Sequence, residues 1–158
     1  MIALREVESA GDVEIFRELL RIYAAENAGR FSERMTQDLL NLPGRYAPPT
    51  GGLWLANHDG ADVATAAWTR VDDEQAELKR VYVLPAARGR GAARALSLRV
   101  IELLRVKGYG RVVLNTWDDN RGAIELYRSI GFVEIAPFKP PTFPNMVFMG
   151  FALTQAAA

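Results

Sequence analysis

Residues 88–94 read Arg-Gly-Arg-Gly-Ala-Ala-Arg, directly after an apolar run and directly before a helical pattern. Those types at that spacing suit anion binding. The first turn of a helix exposes backbone N–H groups that have no internal partner. The helix dipole adds positive potential at the same end. Gly89 and Gly91 remove side chains that would keep an anion away, while Ala92 and Ala93 keep the entrance narrow but open. Arg88, Arg90 and Arg94 can add charge, or can be solvated surface residues. The fitting guest is a pyrophosphate. Two known phosphate loops do not match. A triphosphate loop would end in Gly-Lys-Ser/Thr. The dinucleotide fingerprint would need glycine where Arg94 stands, and an acid about twenty residues later. An ordinary surface turn would carry the same letters, so the loop alone leaves the choice open.

Other reactive side chains are few. There is no cysteine, which excludes thiolate nucleophiles, disulfides and cysteine metal sites. His58 is the only histidine and sits in the turn-like Asn-His-Asp-Gly; no cluster has metal-ligand spacing, so no metal is expected. Asp72, Asp73 and Glu74 read as a solvated turn, and Asp118 and Asp119 as acids nearer a cleft. Trp54 and Trp68 read as sheet core, whereas Tyr46, Trp117, Phe138 and Phe143 could line a pocket for an acceptor.

The elements that must position these residues follow from periodicity. Residues 2–7 alternate as a strand. Ser9 caps a helix that ends near Asn27, with Asp12 in the place of a capping-box acid. A weaker helix is predicted over 32–42. The stretch 42–52, Leu-Pro-Gly-Arg-Tyr-Ala-Pro-Pro-Thr-Gly-Gly, is a loop rich in turn formers, either a substrate loop or a plain connector. A hairpin follows, with Asn57 and Gly60 suited to left-handed backbone, then a turn at 72–75. The strand 76–84 does not alternate, as expected of one covered on both faces or carrying a bulge. A helix runs from Gly91 to Gly108 with Leu96, Val100, Leu103 and Leu104 on one stripe. Residues 111–117 form a strand, Asn120 caps a short helix ending at Gly131, and 132–138 and 145–153 read as two final strands. The fold class is α/β with a mixed, mostly antiparallel sheet, helices on both faces and one parallel strand-helix-strand crossover. Residues 1–153 are expected to be a single domain, and 154–158 a frayed tail.

The totals agree with this class. The chain has 158 residues, enough for one domain with a sizeable core. Lys+Arg and Asp+Glu both number 19, so there is no overall basic field of the kind nucleic-acid binders use. No stretch has the length of apolar sequence that crosses a membrane, and the first residues do not read as a secretory signal. A cytoplasmic protein with no nucleic-acid or membrane partner is expected, as a monomer or a homodimer.

Two blocks now point further. The stretch 77–96, Glu-Leu-Lys-Arg-Val-Tyr-Val-Leu-Pro-Ala-Ala-Arg-Gly-Arg-Gly-Ala-Ala-Arg-Ala-Leu, resembles the acetyl-coenzyme A segment of the GNAT N-acetyltransferases. There Val-x-Pro ends a strand and Arg-x-x-Gly-x-Gly/Ala opens a helix; Val83, Pro85, Arg88, Gly91 and Ala93 stand at those places. Asn120, Ala123, Tyr127, Gly131 and Phe132 match a second family block. The order of elements is also the family's, so the resemblance covers most of the chain. Residues 42–51 and 77–85 look closest to a bacterial subgroup with LPGxYxPPxG and ExKRxYVxP motifs, although Asn115 stands where that subgroup carries Asp.

The resemblance implies acetyl-CoA as acyl donor and a small-molecule or peptide amine as acceptor, joined in a ternary complex by direct attack. It implies that the backbone N–H of Val83 receives the developing oxyanion. Tyr82 and Val83 would border the donor, the backbone of Arg88, Gly89, Arg90, Gly91, Ala92 and Ala93 would hold its pyrophosphate, and Asn120 would bond the pantetheine arm as well as cap its helix. Tyr127 would lie against the cofactor and protonate the departing sulfur, or else only pack on its helix stripe. Glu77, six residues before Val83, would act as base, or else pair with Lys79 or Arg80. The competing reading is an acyl-CoA-binding sensor or subunit without catalysis.

Overall fold

The structure is a computed structural model that describes residues 1–30 and 32–153. The tail expected at 154–158 lies outside the described residues. The strands are β1 (Ile2–Glu6), β2 (Gly51–His58), β3 (Ala61–Arg70), β4 (Gln75–Val83), β5 (Arg111–Trp117), β6 (Val133–Glu134) and β7 (Met146–Ala152). The helices are α1 (Ala10–Glu26), α2 (Glu33–Asn41), α3 (Ala92–Val106) and α4 (Arg121–Ile130). Short 3-10 turns occupy Gly44–Tyr46 and Pro85–Ala87. The strands form one mixed seven-stranded sheet in the order β1-β2-β3-β4-β5-β7-β6. Pairing is parallel between β4 and β5, where Glu77 faces Val113, and antiparallel between β1 and β2, β2 and β3, β5 and β7, and β6 and β7.

The described residues divide into two compact units, one within residues 1–69 with Leu78–Val100, the other Arg70–Glu77 with residues 101–153. In the first, Phe16, Leu19 and Leu20 of α1 pack with Leu53 and Leu55 of β2 and with Tyr46. Fully burying each apolar side chain of this size stabilises by about 1.5–3 kcal/mol. In the second, Leu104, Val112, Leu114, Phe132 and Met149 are buried. No helix among the described residues is long and apolar enough to cross a membrane.

The local signals act as their chemistry requires. Ser9 accepts from the Asp12 amide and Ser32 from the Met35 amide, each at a helix start. Asp72 accepts from the amides of Glu74 and Gln75 and so closes the turn before β4. In the hairpin turn the left-handed residues are Asp59 and Gly60, not Asn57 and Gly60. Asn57 instead accepts from the Gly60 amide, since two residues with positive φ are what a two-residue hairpin loop needs. Two expected strands differ as well. Only Val133–Glu134 of 132–138 forms a strand, and Pro137 stops any extension. Gly51 and Gly52, expected in a loop, open β2; a Cβ at Gly51 would lie 2.6 Å from the Tyr46 backbone.

Candidate active site

The glycine-arginine loop leaves β4 through the 3-10 turn, and the Leu84 amide donates to the Val63 carbonyl. Gly89 and Gly91 hold φ of 80° and 88°, and no atom lies within 4 Å of a Cβ built on either. The glycines are therefore needed for backbone direction, and the space beside them is open. Helical bonding begins with the Ala95 amide on the Gly91 carbonyl at 3.0 Å, so the amides of the first turn point out of the helix start. This arrangement fits the phosphates of a coenzyme: donors, dipole and room coincide at one helix end.

The arginines divide. Arg88 donates from Nε to the Val83 carbonyl at 3.1 Å, forms an ion pair with Glu26 and stacks over the Tyr82 ring. Its side chain ties the loop to its own strand and to the end of α1. Arg90 and Arg94 are exposed. The Tyr82 hydroxyl donates to Glu26 at 2.6 Å; burial and that acid push its pKa up to about 12.

On β4 the residues Ala76 to Lys79 are buried in succession, as expected of a strand covered on both faces. The irregularity falls at Arg80, whose φ is 56° and whose carbonyl accepts from Thr65 Oγ1 at 2.8 Å. It lies three residues before Val83. Glu77 is 4% exposed, and its carboxylate accepts from Lys139 Nζ at 2.9 and 3.2 Å. Of the expected partners, Arg80 goes instead to Asp38, and an ammonium reaches Glu77 from 62 residues further along the chain.

Tyr127 is 6% exposed on α4, its ring edge-on to Phe132 at 5.5 Å. Gly131 ends that helix with φ 125°, and a Cβ there would meet the Phe151 ring at 2.7 Å, so the Gly-Phe pair is fixed by packing. Asn120 caps α4 by accepting from the Ala123 amide at 3.4 Å and donates to Thr116 Oγ1 at 3.1 Å. Trp117 packs near Phe143, and Phe138 meets Phe148 edge-on at 5.3 Å.

A model of the Acetyltransferase (GNAT) family matches residues 16–132. The chain belongs to the GNAT acetyltransferase family. It is 38% identical over 111 residues to the N-acetylaspartate synthetase of Danio rerio, covering 69% of this chain and 39% of that one. It is 28% identical over 157 residues to an uncharacterised N-acetyltransferase of Schizosaccharomyces pombe, covering 98% and 96%. The chain thus spans about two fifths of the first relative's length and nearly all of the second's. A GNAT acetyltransferase of Elizabethkingia anophelis, solved with acetyl-CoA bound, shares the fold at a TM-score of 0.71 and 19% identity, covering 96% and 98%.

Within this GNAT chain the sequence reading missed a hub. Asp38 of α2 is buried and accepts from Arg45 (2.8 Å on each oxygen), from Arg80 (2.7 Å) and from the Tyr46 hydroxyl. Burial alone would raise its pKa; the bond from Arg45, the charge of Arg80 and the Tyr46 hydroxyl together hold it below the ordinary carboxylate value. Burial and the Asp38 charge push Tyr46 up. The readable signal was an acid at helical spacing between Met35 and Leu42, on the face that otherwise enters the core. Beside the hub lies a cavity of about 230 Å³, walled by α2 and the turn at 43–46.

Proposed function

We propose that this protein is an acetyl-CoA-dependent N-acetyltransferase that carries the acetyl group to a primary amine by direct attack in a ternary complex. The observation that carries the reading is the loop at 88–93. Two left-handed glycines with open space stand at the start of α3 in a chain of this family. Acetyl-CoA, when bound, supplies a thioester carbonyl that an amine nitrogen can attack, with the C–N bond forming as the C–S bond breaks.

The remaining work falls to the chain's own residues. Backbone amides at the start of α3 hold phosphate, so charge at positions 88, 90 and 94 is secondary. The Val83 amide faces the carbonyl oxygen as it gains charge; a preorganised donor of this kind is worth about 10²–10³ in rate. Glu77 receives the amine's proton, directly or through a water. Its buried carboxylate is paired with Lys139 in the protein alone, so an arriving acceptor ammonium exchanges with Lys139 before it is deprotonated. Tyr127 hands its phenolic proton to the departing sulfur. A thiol ordinarily titrates near ~8.5 and a phenol near ~10, which favours a hydrogen bond that becomes proton transfer only in good geometry.

The test is incubation with acetyl-CoA and an amine panel, following free thiol. Turnover is expected, and Tyr127→Phe should lower it by roughly 10- to 10³-fold. An unchanged turnover number removes Tyr127 from the mechanism. The occupied Glu77 carboxylate also suits a silent acyl-CoA-binding module, and saturable cofactor binding with no turnover across the panel would establish that reading instead.

A further inference from the structure

The cavity beside the Asp38 hub has a charge imbalance. One carboxylate faces two guanidiniums, and Arg34 at the cavity wall adds a third. Arg34 is exposed and has no hydrogen-bond or ion-pair partner among the described residues. Arg45 spends Nε and one terminal nitrogen on Asp38 and Tyr46, leaving Nη1 without a partner among the described residues. Both side chains line the same space, together with the amides of Gln37 and Asn41, which bond each other at 3.2 Å.

A surplus of fixed positive charge beside a partly enclosed cavity attracts an anion, and the guanidinium fork matches a carboxylate in two parallel bonds. Asp38 already makes that match on one edge of Arg45, with 2.8 Å to each oxygen. The volume, about 230 Å³, is below the roughly 300–1,000 Å³ of pockets for drug-sized ligands, so the occupant is small. The hub also reaches the reacting strand: Asp38 holds Arg80 of β4, three residues after Glu77 and three before Val83.

We infer that this cavity seats a carboxylate of the acceptor through Arg34 and Arg45, so that the amine acetylated by this protein is a small amino acid rather than a plain amine. The inference rests on the transferase reading for its acceptor role, and on the cavity alone for its anion.

The experiment compares amino acids with their matching amides in the thiol-release assay, with O-phosphoethanolamine as a phosphate-bearing arm. It uses the wild type and Arg34→Gln, a change at an exposed position that leaves the Asp38 bonds in place. The acids should exceed the amides by about tenfold or more in kcat/KM, because a site built for a polar group rejects analogues that lack it. Arg34→Gln should bring the acids down to the amides through KM, leaving the amides within about twofold, and Arg34→Lys should restore part of the difference. Equal use of acids and amides, a preference for the phosphate arm, or an equal loss on both in Arg34→Gln overturns the inference. Calorimetric titration of amino acids separates the two readings. Saturable binding that Arg34→Gln abolishes, without any turnover, keeps the carboxylate site and removes the transferase. Turnover of amines with no amino-acid binding does the reverse.

Discussion

Asp38 and Glu77 are buried to a similar degree, 8% and 4% exposed, yet their surroundings differ. Asp38 takes bonds from two guanidiniums and a phenol, all supplied within its own unit. Its Arg80 partner is itself only 11% exposed and cannot turn to water if the acid is lost. Glu77 accepts from the ammonium of Lys139, whose side chain is 22% exposed. A carboxylate held at once by two guanidiniums and a phenol is locked into the framework. A carboxylate that accepts from a partly exposed lysine faces a flexible partner. Burial alone does not distinguish them; the two guanidiniums and the phenol gathered on Asp38 do.

The largest expected effect breaks the first half of that comparison. Asp38→Ala leaves two guanidiniums around an empty place and should cost about 3–5 kcal/mol, the range for removing one partner of a buried ion pair. Urea denaturation measures it, and a loss below about 1 kcal/mol, the surface-pair range, would show that Asp38 is not locked. Glu77→Gln should instead lower turnover by about 10²-fold while acetyl-CoA binding measured by calorimetry stays as in the wild type. Equal damage to stability and turnover would make the two acids alike.

Lys139→Gln sharpens the exchange itself. If the acceptor ammonium takes the place of Lys139, the variant should lower KM for the amine by a few-fold; a rise would mean that Lys139 holds Glu77 in position. The smallest effect concerns acid. The Asp38 carboxyl lies below its ordinary value, so its ionisation stabilises the fold above the unfolded pKa of ~3.9, and that contribution is lost as pH falls through the folded value. Unfolding curves below about pH 4 should show proton uptake that Asp38→Asn reduces, the rest coming from other lowered acids such as Glu26 and Asp62.

The sequence made local structure legible because its signals act over short distances. Ser9 and Asn120 cap the helices that their positions suggest, and Asp72 closes its turn. The order of elements and the parallel β4-β5 pairing follow from periodicity and the crossover rule. Of the candidate site, the open backbone at Gly89 and Gly91 was legible. It was not legible where side chains meet over long separations. Lys139 reaches Glu77 from a proline-rich loop, and nothing in the spacing of either residue announces the other. The neighbours of Arg88 left its side chain open between a phosphate ligand and a surface residue, and in the protein alone it goes to Val83 and Glu26. Likewise, the pattern at 132–138 permitted a strand, but the brief β6 forms only against β7, which arrives a dozen residues later.

That late arrival bears on how the protein is made. β7 pairs with all seven residues of β5 from Arg111 to Trp117 and with both residues of β6. During synthesis β5 emerges before β7, and its outer edge stays open until residues 146–152 follow. An open strand edge can recruit another chain, and intermediates with unpaired edges are prone to aggregate. The vulnerable interval for this protein is therefore the time needed to translate about thirty residues between β5 and β7, roughly 2–6 s at 5–20 residues per second. Shortening of the chain before 146 would make that interval permanent.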